Sequence, residues 1–187
     1  MQPSLFPDPL VPGLIQRDEL IGADEETGLI ARIDAEALTL FRFQGWLGKR
    51  LTRSFGWSYD FDRGRLDRGD PMPDWLLPVC DRMAGFAGLD AGSLVQALLI
   101  RYNTGAGIGW HKDRPAFEHV VGLSLGAPCD LRLRRRRLGG FDRRSAPLLP
   151  RAAYHLSGEA RYDWEHGIAP LAQPRWSVTF RSLVARR

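Results

Sequence analysis

The sequence predicts an α+β protein in which a mixed N-terminal half precedes a mostly antiparallel β-sandwich or barrel. Three observations lead there. After residue 93, five strand-length apolar or alternating runs follow one another. Glycine and proline punctuate those runs at short intervals. Before them, two helix-like stretches flank a long alternating aromatic segment.

Taken in order, the chain starts as a proline-rich arm (Pro3, Pro7, Pro9, Pro12), read as extended. Residues 24–33 read as a short helix. Asp24 is its N-cap, acids fill its first turn, and Leu29, Ile30 and Ile33 form an apolar stripe, with Gly28 as the weak point. "LTLFRFQGWLGKRLTRSFGWSYDF" alternates apolar and polar residues, the pattern of strands joined by a loop. Residues 73–85, "PDWLLPVCDRMAG", read as a helix that Pro78 disturbs. Strands are expected over 94–102, 120–125, 129–134, 152–156 and 176–183. No repeat interrupts the chain, and 187 residues suit a single domain with a real core.

Composition narrows the classes of function. Apolar residues make up 44% and charged residues 26%, ordinary for a globular protein. The longest apolar run, 94–100, is strand-sized, so no membrane span is expected. The first residues show neither a basic n-region nor an apolar h-region, so no secretory signal is read. With Cys80 and Cys129 in unrelated contexts, a cytoplasmic, reduced monomer is expected. The net charge of +4 suits a phosphate-bearing partner. Its basic residues are nearly all arginine, with Lys49 and Lys112 the two lysines. "LRLRRRRLGGFDRR", holding the Arg132–137 cluster, reads either as a solvated hairpin or as a phosphate contact.

The chemistry centres on "GWHKDRP". His111 and Asp113 stand two apart, so on a strand or strand end they share a face. One imidazole and one carboxylate there can meet one ion. A second histidine would complete the facial arrangement of non-haem iron(II) oxygenases, which leaves positions open. The candidates are His119, His155 and His166. His166 is preferred because of "PRWSVTFRSL" just downstream. On that strand Arg175, Ser177, Thr179 and Arg181 share one face, and Trp176, Val178 and Phe180 the other. Arginine at both ends of an inward face suits a bound dianion. The two Cα atoms would lie about 20 Å apart, with the side chains leaning together onto a small dicarboxylate. His166, in "WEHGI", is expected on the neighbouring strand of a hairpin with this one.

"RYNTGAGIGWHKD", "GEARYDWEHGI" and "RWSVTFR" together resemble the AlkB family of iron(II)- and 2-oxoglutarate-dependent dioxygenases over about residues 94–183. "FGWSYDF" resembles that family's substrate lid. The resemblance implies a double-stranded β-helix (jelly-roll) core in 93–187, with an N-terminal extension and nucleotide-recognition lid in 1–92. It implies His111, Asp113 and His166 as iron ligands. Tyr102, nine positions before His111, would contact 2-oxoglutarate. Arg175 would grip the distal carboxylate, and Arg181 would sit by the carboxylate nearer the iron. Dioxygen would take the remaining site, giving succinate and carbon dioxide; hydroxylation of an N-methyl group would then release formaldehyde.

The family's usual substrates are methylated bases in nucleic acid, so oxidative dealkylation of DNA or RNA bases is the expected activity. Trp57, Tyr59 and Phe61 would sandwich an extruded base, and Lys49, Arg50 and Arg53 would meet phosphate. Trp110 would pack behind the ligands. Ile100 stands where the DNA-repair members commonly have asparagine, and Pro115 where they have an acid near the base. Two further readings share the same metal site: a hydroxylase of a modified tRNA base or a protein side chain, and a non-catalytic 2-oxoglutarate sensor.

Overall fold

A computed structural model describes residues 9–43, 46–60 and 64–185, with side chains described outside 42–47 and 58–63. The chain runs β1 (Leu14–Arg17), α1 (Ala23–Ala35), β2 (Thr39–Phe43), β3 (Trp46–Asp60), β4 (Arg65–Arg68) and α2 (Leu77–Phe86). It continues through β5 (Leu94–Tyr102), β6 (Ile108–His111), β7 (Phe117–Gly126), β8 (Cys129–Arg137), β9 (Gly140–Leu148) and β10 (Ala153–Leu156). It ends with α3 (Gly158–Tyr162), β11 (Glu165–Ile168) and β12 (Arg175–Leu183).

The strands form two antiparallel sheets. The larger runs β1-β10-β7-β12-β5-β3-β2, with β4 paired to β3; the smaller runs β6-β11-β8-β9. Strand alternation divides the side chains of the larger sheet between two cores. On the outer face Ala97 and Leu99 of β5, Val178 and Phe180 of β12, and Val121, Leu123 and Leu125 of β7 pack with Leu29 and Ile33 of α1 and Val79 and Met83 of α2. The inner face meets the smaller sheet. Leu131, Leu133, Ala146 and Leu148 close one end against Val120, Tyr154 and Leu156. Ile100, Tyr102, Ala106 and Ile168 cluster near the other. This face-to-face pair is a jelly-roll core, and the apolar side of "RWSVTFR" does pack outward, under the helices.

The five expected strands are present, most of them longer than read. The helices depart in detail. α1 begins at Ala23 with Gly22 in the N-cap position, so Asp24 lies inside the first turn, where its charge meets the helix dipole. Pro78 does not disturb α2: it occupies the first turn, where its missing N–H has no intrahelical acceptor to lose, and a short 3-10 turn (Asp74–Leu76) precedes it. β11 is not the hairpin partner of β12. It pairs with β6 and β8 in the other sheet, so His166 reaches the site from across the sandwich.

Candidate metal and cosubstrate site

His111 and His166 are direct cross-strand partners in the β6–β11 pair, with ring centres 4.3 Å apart. The backbones come close there. A Cβ on Gly167 would stand 2.9 Å from the carbonyl oxygen of Ile108, so the residue beside His166 has no room for a side chain. Asp113 follows two residues after His111, and one donor atom from each of the three residues lies within 4.8 Å of the others.

The donors are in the protonation states that a cation requires. His111 Nδ1 lies 2.9 Å from the carbonyl oxygen of Gly109. A carbonyl only accepts, so Nδ1 carries the proton and Nε2 keeps a lone pair. Burial lowers the pKa of His111, and burial together with the neighbouring His111 lowers that of His166 to about 3. Both imidazoles are therefore neutral near pH 7. Burial works against ionising Asp113, but Arg181, His166 and His111 outweigh it and hold the carboxyl well below the ordinary range. Asp113 Oδ1 accepts a 2.7 Å hydrogen bond from Arg181 Nε. Oδ2 is buried without a hydrogen bond, 3.4 Å from His166 Nε2. An orphaned carboxylate oxygen between two neutral imidazoles fits a divalent cation.

An oxyanion position lies beside it. Tyr102 of β5 is the cross-strand partner of Arg175 of β12, and the guanidinium carbon sits 5.3 Å from the tyrosine ring centre. Arg175 is 1% exposed; its Nη2 donates to Ser124 Oγ at 3.2 Å, while Nε and Nη1 have no partner. A guanidinium buried with unused donors fits a carboxylate. Arg181 differs from the expected twin clamp. Its Nε holds Asp113 and its Nη1 donates to Gln96 Oε1 at 2.9 Å, so these donors already have acceptors. These groups line one cavity of about 820 Å³ between the sheets, whose walls include Arg50, Gln96, Tyr102, Trp110, Tyr154 and Ile168.

Of the expected base-binding residues, the three whose side chains are described are not gathered there. Lys49 and Arg53 alternate with Arg50 and Thr52 on β3 and fall on the face away from the cavity. Lys49 is exposed, and Arg53 pairs with Glu36 at 2.9 Å and Asp70 at 3.5 Å. Trp57 lies beyond the Gly56 bend in the β3–β4 ribbon, under Arg68 at 5.1 Å, and does not line the cavity. The Tyr59 side chain and Phe61 lie outside the described residues. His155 and His119 hydrogen-bond to each other at 2.9 Å away from the cavity. The arginine cluster forms the β8–β9 hairpin, where Arg134 pairs with Glu165, Arg135 with Glu159, and Arg137 with Asp142. Arg132 and Arg134 also sit 4.9 and 4.7 Å from the Trp110 ring centre.

Sequence reading missed three supports. Gln96 steadies Arg181, and Ser124 steadies Arg175. Arg161 Nη2 donates to the carbonyls of Arg114 and Phe117 at 2.6 and 2.7 Å, fastening the turn behind Asp113. Alternation along β5 (Gln96, Leu98, Ile100, Tyr102) could have placed Gln96, and Arg161 lies within "GEARYDWEHGI", the motif that also holds His166.

Fold and site together fit the class of jelly-roll oxygenases: three clustered donors that could hold a metal lie beside a buried guanidinium with unpaired N–H groups. The chain belongs to the 2OG-Fe(II) oxygenase superfamily, matched over residues 43–185, and within it is AlkB-like. It is accordingly a dioxygenase that uses iron(II) and 2-oxoglutarate. It is 29% identical to "Alkylated DNA repair protein ALKBH8 homolog" of Arabidopsis thaliana, across 84% of this chain and 51% of that protein. It is 31% identical to "tRNA (carboxymethyluridine(34)-5-O)-methyltransferase ALKBH8" of Macaca fascicularis, across 88% of this chain and 25% of that protein. The chain thus spans between about half and a quarter of the length of these relatives. The OsALKBH1 structure superposes with a TM-score of 0.71 at 14% identity, covering 91% of this chain and 96% of that one. A Pseudomonas putida prolyl-4-hydroxylase gives 0.62 at 17% identity over 92% and 94%; both show the shared fold. No described helix is long and apolar enough to cross a membrane.

Proposed function

We propose that this dioxygenase oxidises a nucleobase presented out of its stack, removing N-alkyl groups from DNA or RNA, as a monomer in the cytoplasm. Residues 93–187 form the catalytic core, and 1–92 carry the base-recognition lid. His111, Asp113 and His166 bind iron(II). Tyr102 and Arg175 hold the distal carboxylate of 2-oxoglutarate, and Arg181 lies by the carboxylate nearer the metal. The observation that carries the reading is the orphaned Asp113 Oδ2, which shares one cavity with the unpaired N–H groups of Arg175.

Iron(II) bound there, with 2-oxoglutarate and dioxygen, supplies oxidation of a substrate C–H bond with release of succinate and carbon dioxide. The chain's part is placement. Arg181 and Gln96 fix the Asp113 carboxylate, the Gly109 carbonyl fixes the His111 tautomer, and Ser124 aims Arg175. The cavity is large enough for a base beside the cosubstrate.

Hydroxylation of a modified tRNA base is the second reading. The macaque relative, named as a methyltransferase of a tRNA uridine, favours a tRNA substrate, although the match covers a quarter of that protein. One assay separates the readings. With iron(II), ascorbate and 2-oxoglutarate, methylated single-stranded oligonucleotides should yield formaldehyde. No formaldehyde across methyl and etheno lesions, with a mass gain on tRNA, selects hydroxylation. No succinate under any condition points to a sensor.

A further inference from the structure

Tyr102 sits between two arginines. Its cross-strand partner on one side is Arg175 of β12, and on the other Arg50 of β3. All three face the cavity. The guanidiniums diverge. Arg175 leans to β7, where Ser124 receives its Nη2. Arg50 leans the opposite way, to β2, with its guanidinium carbon 3.9 Å from the ring centre of Phe41, which also lines the cavity. The two guanidiniums thus rest against different walls of the cavity. Arg50 has no carboxylate partner among the described residues, and its Nε is buried without a hydrogen bond.

Charge points the same way. Asp113 is the one acid among the cavity's lining residues, and Arg181 already offsets it. Iron(II) and the 2-oxoglutarate dianion offset each other, and Arg175 faces the distal carboxylate. Arg175 and Arg50 are then both left uncompensated on the inner wall, Lys112 and Arg114 adding positive charge elsewhere on the lining, and Arg50 is held by Phe41 against the β2–β3 wall. Such a group is costly to bury unless an anion arrives. We infer that Arg50 and Phe41 form a second oxyanion subsite, which takes an anionic oxygen of the prime substrate and not of the cosubstrate. The inference rests on the nucleic-acid reading only for its choice of source: a phosphate of the extruded nucleotide, or a carboxylate carried on the base.

The test is equilibrium binding to protein loaded with manganese(II) and 2-oxoglutarate without oxygen. The probes are inorganic phosphate, uridine 5′-monophosphate, uridine and 5-carboxymethyluridine. Wild type should bind at least one anionic probe more tightly than uridine. Arg50→Gln should weaken that probe roughly ten-fold, Arg50→Lys should recover much of the loss, and 2-oxoglutarate affinity should stay within about two-fold. The monophosphate responding identifies a phosphate source, and carboxymethyluridine responding identifies a base carboxylate. Phosphate responding while no nucleoside probe binds keeps the subsite and removes the nucleic-acid reading. A ten-fold loss of 2-oxoglutarate affinity in Arg50→Gln overturns the inference. So do equal binding of the anionic probes by both proteins and failure of every anionic probe to bind wild type.

Discussion

Arg181 Nε donates to Asp113 Oδ1 at 2.7 Å across the sandwich, from β12 to the residue that follows β6 by two, and both side chains are nearly buried. The contact settles which Asp113 oxygen is left for a cation. Arg181→Met should remove the carboxylate's strongest partner and leave a buried charge, costing about 3 kcal/mol or more in stability. Manganese(II) affinity should fall roughly 10–100-fold, as for other groups that orient a ligand. Urea denaturation and metal titration read the two effects. Unchanged metal affinity would show that Asp113 is positioned without Arg181.

Arg175→Met should separate cosubstrate from metal. The buried guanidinium carries the unpaired N–H groups, whereas the three candidate metal donors come from β6, the loop after it and β11. The Kd for 2-oxoglutarate should rise by at least about ten-fold, the weight of a charge-assisted contact. Manganese(II) stoichiometry should stay the same. His111→Ala or Asp113→Ala should instead abolish metal-dependent succinate formation; full activity in either variant would refute the ligand assignment.

The sequence carried the site better than the lid. His111 and Asp113 are legible because two residues two apart at a strand end can turn to one side, and Arg175 and Arg181 because alternation along one strand displays both. The pairing of β11 was not legible. Which sheet takes a four-residue strand depends on the packing of both sheets, and "WEHGI" says nothing of that. That Lys49, Arg50 and Arg53 divide between two faces was not read, because charge was taken without the strand parity that sends Arg50 toward the cavity and its neighbours out. Pro78 was read as a breaker because its position relative to the helix start was unknown.

Acid should destabilise the apoprotein through its buried histidines. His155 is 3% exposed, and burial and then His119 lower its pKa to about 4. Burial likewise lowers His166 to about 3. An unfolded histidine titrates near ~6.5. Between that value and the folded one, the unfolded chain binds more protons, so stability rises with pH across the window and falls on acidification. The urea midpoint should therefore drop from pH 7 to pH 5. In His155→Phe the drop should be shallower, because one of the three histidines with a lowered pKa no longer titrates. An equal drop in both proteins would assign the pH sensitivity to other groups.

Gly122 of β7 faces Tyr154 of β10 directly, and a Cβ there would meet the tyrosine ring at 2.2 Å. The ring is buried between the sheets and lines the cavity, and its phenol is pushed up to about 12, burial being the main cause. Gly122→Ala must therefore move the ring, and overpacking of this kind costs about 1–3 kcal/mol. Tyr154→Leu alone should also destabilise, by loss of packing. The two changes share one contact, so they should not add: in the double variant the methyl group occupies space that the ring has vacated. Urea midpoints of the four proteins form the cycle. A coupling near zero would mean that the ring yields freely, and that Gly122 is not what holds Tyr154 against the cavity wall.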